Sequence, residues 1–276
     1  MTATYPPDRH LLRDLRLEFD HSDGEVSRAW MPVVPELCTD DGSVRAGALA
    51  TLVDVIGGGL AAAAAQPDWI ATADLTLHVV GAATSGSVAA TARVVHAGRT
   101  TVVIEVELHD DAGREIGLAT MSFARLPRRD ENPDIRASTA TGRSTMALAT
   151  SRLDAGLVDM LGARVIDAAR GELEVPVGEW SLNSLGAMQG GAVATVIDAA
   201  AEVACRATTS EPLVVTDLQI TYLALGRVGP IRTRVDVLGA RPGHARARVE
   251  LVDAGAASRV TSVARVVATS SLLAAR

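Results

Sequence analysis

Two aspartates, Asp54 and Asp198, close nearly identical octapeptides: GALATLVD at 47–54 and GAVATVID at 191–198. Each sits in an apolar, Ala-rich stretch. An aspartate set into such a helix is partly desolvated, which raises its pKa and its basicity. The second octapeptide is entered through Gly190 and Gly191. A helix start of this kind offers free backbone N–H groups at the positive end of the helix dipole. Such amides stabilise a developing oxyanion, and a nearby carboxylate can activate the attacking group. The residue types therefore suit chemistry at a carbonyl carbon. Each also has an ordinary reading, since a helical aspartate is usually solvated and a glycine pair can serve only as a tight helix entry. Recurrence alone proves little, because a duplicated structural aspartate would also recur; the joint spacing of Gly190 and Gly191 with Asp198 carries the argument.

Other chemistries lack their residues. There is no G-x-S-x-G elbow for a serine nucleophile. No paired histidines or cysteine cluster suggests a metal, and Cys38 and Cys205 lie too far apart for a disulfide framework or a zinc site to be read from them. His78 reads as an ordinary strand residue. The net charge of −7 argues against nucleic acid as a partner. Met1–Leu17 has no long apolar core of a secretory signal, and the longest apolar run, Gly57–Ala65, reads as too short to span a bilayer. The expectation is a cytoplasmic protein without a membrane partner.

The elements that must position the aspartates follow from the repeat. An offset of 144 residues is about one domain, so the chain reads as a duplication. In each copy an Ala-rich helix follows the octapeptide, Val55–Ala65 and Ala199–Thr208. The equivalent central helices are expected at Gly47–Ala65 and Gln189–Ala207. An alternating strand comes next, DLTLHV from Asp74 and DLQITY from Asp217. Three more strands are expected in each copy, at 87–95, 101–109 and 115–125, then at 229–238, 244–252 and 258–267, joined by Gly-bearing turns. Extended segments precede the helices at 26–33, 163–166 and 172–177. The polar stretch 127–150 has linker composition, with a short helix expected from Met146. The expected division is 1–126, 127–150 and 151–276. The fold class is α+β, each unit a long helix covered by an antiparallel sheet.

The run from Asn183 through Gln189, Gly190 and Gly191 to Asp198 resembles the PaaI-type hotdog thioesterases, which act on coenzyme A esters. Their pattern is an Asn, a His-Gly-Gly opening the central helix, an Asp or Glu deeper in that helix, and a hydroxyl residue at the start of the next strand. Thr216 matches the hydroxyl place, and Gln189 stands where the His would be. The first copy keeps Asp54 but has Arg45-Ala46 in the place of His-Gly, Thr39 in the place of the Asn, and Thr72 or Ala73 at the hydroxyl place. The resemblance implies two tandem hotdog domains, an acyl-CoA thioesterase activity, and no cofactor beyond the coenzyme A of the substrate.

Gly190 and Asp198 are roughly 12 Å apart along one helix, too far to serve one carbonyl. Two antiparallel helices remove the difficulty, because the glycine end of one can meet the aspartate of the other. One site then pairs Asn183 and Gly190 with Asp54. The second pairs Asp198 and Thr216 with the Arg45–Ala46 helix end. Gln189, Gly191, Arg45, Ala46 and Thr72 are the expected substrate-binding residues. Arg45 can be a surface charge, a phosphate anchor, or a partner to an aspartate. The competing class is a non-catalytic acyl-ligand binder. One chain mimics a hotdog dimer, and homo-oligomers of it are compatible with the sequence.

Overall fold

A computed structural model describes residues 5–23, 26–128 and 142–271. Its first unit begins with a single-turn helix α1 (Leu11–Asp14) and strands β1 (Glu18–Asp23) and β2 (Val26–Pro32). The long helix α2 (Ala46–Ala65) follows, then β3 (Trp69–Val79), β4 (Ser87–Ala97), β5 (Thr101–Asp110) and β6 (Glu115–Leu126). After β7 (Arg143–Thr145) the order recurs: α3 (Leu157–Met160), β8 (Arg164–Asp167), β9 (Glu172–Val175), α4 (Gly190–Thr209), β10 (Leu213–Tyr222), β11 (Ile231–Arg241), β12 (His244–Asp253) and β13 (Arg259–Ser270). The long helices and the hairpin strands fall where the repeat and the alternation put them. The expected helix from Met146 does not form, and the single turn lies at Leu157–Met160 instead. Arg143–Thr145, within the expected linker, is a strand that pairs with Glu18–Asp20 of β1. We propose that the units divide between it and Leu126; residues 129–141 of that stretch lie outside the described residues.

All strands join one antiparallel sheet in the order β7-β1-β2-β4-β5-β6-β3-β10-β13-β12-β11-β9-β8. Its centre is the β3–β10 pair, where Thr76 faces Gln219, Asp74 faces Thr221 and His78 faces Asp217. Asp74 and Asp217 begin the two matching strands DLTLHV and DLQITY, so Thr76 is paired with its own counterpart. A pseudo-two-fold axis therefore passes through the Thr76–Gln219 pair.

One face of the sheet is apolar, with Val88, Ala90, Ile104, Val106, Met121 and Phe123 in the first unit and Ala245, Ala247, Val249 and Val266 in the second, all buried. The two long helices lie on it and pack against each other. Their approach depends on two glycines. A Cβ at Gly47 would lie 2.5 Å from the Thr195 Cα, and one at Gly191 would lie 2.5 Å from the Thr51 Cα. Backbone cannot yield at that distance, so any larger residue separates the helices. The first turn of each is thereby set against the middle of the other. By composition α2 is long and apolar enough to cross a membrane, a longer apolar element than Gly57–Ala65, but most of it is buried inside this fold.

Candidate active site

The crossing of the helices brings Asp54 of α2 to the N-terminus of α4. One carboxylate oxygen, Oδ2, accepts from Gln189 Nε2 at 2.8 Å and from the Gly191 N–H at 3.2 Å. The other, Oδ1, accepts from the Thr72 hydroxyl at 3.0 Å. Gln189 also caps α4, its Oε1 accepting from the Ala192 N–H at 3.1 Å. A Cβ at Gly190 would lie 2.9 Å from both carboxylate oxygens, so only glycine fits there without moving Asp54. Gly190 is half-buried, and its N–H has no partner among the described residues. Tyr222, at the end of β10, donates to the Gly190 carbonyl at 3.0 Å and secures this turn from the far side.

Burial dominates the electrostatics. It pushes the Asp54 carboxyl up to about 6, against the Thr72 hydroxyl and Gly191 N–H bonds that favour its charged form. Tyr222 rises well above its ordinary value through burial first and the Asp54 charge second. Asp54 is therefore ionised in neutral solution yet more basic than a surface aspartate. It lies beside an open helix-end amide.

The pseudo-symmetric position is built otherwise. Asp198 Oδ2 accepts from the Gly47 N–H at 3.0 Å, matching the Gly191 contact across the axis. In the place of Gln189 stands Arg45, whose Nε lies 3.1 Å from Asp198 Oδ2 and whose Nη2 lies 2.7 Å from Glu202. Arg206 continues the chain to Glu202 at 2.9 Å and to Asp40 at 2.8 Å. Position 202 corresponds to Gly58 in α2, so the first unit has no such carboxylate. Arg45 is buried and fills the space at the helix end, while Ala46 is buried behind it. Burial raises the Asp198 carboxyl, with Arg45 opposing, and burial with the Asp198 charge pushes Glu202 up to about 7. Outside this ion-pair chain lies a cavity of about 310 Å³, lined by Asp40, Arg206, Glu211 and Leu213 among others; it does not reach Asp198.

Two sequence-expected residues stand elsewhere than expected. Thr216 does not join Asp198; its hydroxyl turns to Asp217 at 3.1 Å and to the Val267 carbonyl at 3.4 Å. The reason is a bulge. The β3–β6 ladder skips Ala73 and the β10–β13 ladder skips Thr216, so Thr216 matches Ala73 and Thr72 matches Val215. Asn183 does not point to Asp54; its Oδ1 accepts from the Leu185 and Ala187 N–H groups at 2.9 and 3.1 Å and closes the turn before α4. Of the three readings of Arg45, the partner to an aspartate is the one seen. Tyr222 and Glu202 were not among the expected residues. For Tyr222 the only sequence signal is an aromatic at the end of the strand after the helix.

An antiparallel sheet around a central helix, duplicated so that two helices share one face, is the double hotdog architecture. The solved structures agree. An acyl-ACP thioesterase from Bacteroides thetaiotaomicron superposes with a TM-score of 0.61 at 12% identity, over 90% of this chain and 99% of its own. A protein described as a thioesterase from Novosphingobium aromaticivorans gives 0.61 at 16% identity, over 91% and 97%. Another from Thermobifida fusca gives 0.56 at 19% identity, over 88% and 91%. At these identities the likeness establishes the fold. A search of the curated proteins finds no match. Residues 41–116, from the loop before α2 to the start of β6, match the thioesterase superfamily. That signature covers part of the first unit, and the likeness of fold covers most of the chain.

Proposed function

We propose that the protein is an acyl-CoA thioesterase with one working site per chain, at Asp54. The observation that carries this reading is the buried Asp54 carboxylate held against the glycine-opened end of α4. The thioester carbonyl oxygen is set on the Gly190 N–H, where the helix dipole favours developing negative charge. Asp54 takes a proton from the attacking water as its oxygen bonds to the carbonyl carbon. The tetrahedral intermediate then collapses, the C–S bond breaks, and the thiolate leaves to be protonated. Gln189, Thr72 and Gly191 orient the carboxylate, and Tyr222 fixes the Gly190 peptide. Asp198, Thr216, Arg45 and Ala46 take no part in turnover, because Arg45 fills the space in which a carbonyl would lie. Coenzyme A enters only as part of the substrate. We place the protein in the cytoplasm, where such esters are available.

The test is a panel of acyl-CoA esters followed by release of free thiol. Turnover that is saturable and abolished in Asp54→Asn supports the reading. Binding of the esters without thiol release at any chain length would establish the non-catalytic binder instead.

A further inference from the structure

The segment leading into α1 is fastened differently from its counterpart before α3, and the difference falls at the Asp54 site. His10 caps α1 through Nδ1, which accepts from the Leu12 N–H at 3.1 Å. Its ring proton therefore sits on Nε2, which donates to the Leu182 carbonyl at 2.8 Å. The Tyr5 hydroxyl donates to that same carbonyl at 3.3 Å, and its ring meets His10 edge-on with centroids 5.3 Å apart. Leu182 is bridged to Met188, the residue before Gln189. Tyr5 thus stands beside the backbone that delivers Gln189 and Gly190 to Asp54. The Asp54 charge reaches it as well: burial first and Asp54 second push the Tyr5 hydroxyl up to about 12.

Further anchors hold the segment across the two units. Asp14 accepts from Trp180 Nε1 at 2.9 Å, and Arg13 donates to the Pro6, Pro7 and Met146 carbonyls. Among the described residues the second unit has no equivalent. Gly156 caps α3 without a side chain. Ser151, which stands as far before α3 as Tyr5 does before α1, is buried, and its hydroxyl accepts from the Leu148 N–H. The aromatic therefore attends only the site that Arg45 leaves open.

Tyr5 keeps 44% of its surface exposed although its hydroxyl is tied down. On the other side of Met188, whose N–H bonds the Gly226 carbonyl, the loop after β10 exposes Leu223 and Leu225. Apolar surface thus lies on both flanks of the strand that enters the site. We propose that Tyr5 is a specificity-determining residue of this site, its ring forming a wall against which the acyl group of the thioester lies. The edge-on contact with His10 sets the ring's position, and the long hydroxyl bond to Leu182 only adds to it.

This inference rests on the thioesterase reading, and the experiment separates the two. Wild type, Tyr5→Ala and Tyr5→Phe are compared over acyl-CoA esters of increasing length and bulk. The readout is the ratio of kcat/KM between the bulkiest and the smallest acyl group. Tyr5→Ala shifts that ratio by about tenfold, the scale on which one or two apolar contacts discriminate substrates. Tyr5→Phe keeps the ring and holds the ratio within about twofold. An unchanged profile in Tyr5→Ala overturns the proposal, and so does an equal shift in both variants. Should the wild type release no thiol, the thioesterase reading fails by itself. The same ratio is then read from the affinities of non-hydrolysable thioether analogues, where an unchanged Tyr5→Ala profile again overturns the wall.

Discussion

Replacing Asp54 with Asn changes charge and almost nothing else, which makes it the sharpest probe of the site. The asparagine Oδ1, placed where Oδ2 lies, still accepts from Gln189 Nε2 and the Gly191 N–H. Its Nδ2 then meets the Thr72 hydroxyl, which can turn from donor to acceptor. No buried polar group is orphaned, so the fold should survive. Loss of the base should lower kcat by about 10²–10⁴. Stability should move the opposite way. Burial pushes the folded-state carboxyl up to about 6 from its ordinary 3.8, so the folded chain holds the extra proton between those values. The contribution of Asp54 to stability is therefore greatest below the lower value and falls as pH rises through about 6. Holding the charged carboxylate in this buried place then costs about 3 kcal/mol at neutral pH. Asp54→Asn should remove part of that penalty, leaving Tm at neutral pH equal to or above wild type. The assays are thiol release across pH and thermal melts at pH 4.5 and 7.5. Wild-type kcat/KM should rise with pH through an acidic limb near 6 in the free enzyme. If Asp54→Asn keeps turnover while Asp198→Asn abolishes it, the two sites have been assigned the wrong way round.

Two further outcomes follow from the same geometry. Arg45→Met should destabilise the fold by about 3–5 kcal/mol, because Asp198 and Glu202 lose the cation between them in a buried place; kcat per folded molecule should stay near wild type, and denaturant melts with active-site titration check both. Thr72→Val removes a bond that favours the charged form of Asp54, so the acidic limb should move to higher pH, whereas Thr216→Val should leave the profile in place.

The fold was legible because its signals are local and periodic. The two octapeptides, the Ala-rich helices and the alternation in β3 and β10 each declare an element from neighbouring residues. The distance along one helix showed that Gly190 and Asp198 cannot serve one carbonyl, and the family resemblance supplied the antiparallel pair that removes the difficulty. What stayed hidden depends on partners far away in the chain. Nothing near Arg45 announces Glu202 on the other unit, and nothing near Tyr5 or His10 announces the Leu182 carbonyl. β7 exists only because β1 offers an edge to it. Thr216 was misplaced by a single residue. A bulge shifts the face a side chain occupies, and composition does not report bulges. Asn183 matched a motif but is spent on its own turn, a use of asparagine as common as any in ligand binding.

The axis through Thr76 and Gln219 relates two halves that are encoded separately. In a homodimer every substitution is written into both sites at once, so an arginine at the helix end would close both. Here positions 45 and 189 are inherited as independent codons. One can become a buried cation while the other remains a cap that orients a carboxylate. Covalent linkage thus lets a mutation be lethal to one site and silent at the other, and the closed half is free to evolve as scaffold for the open one.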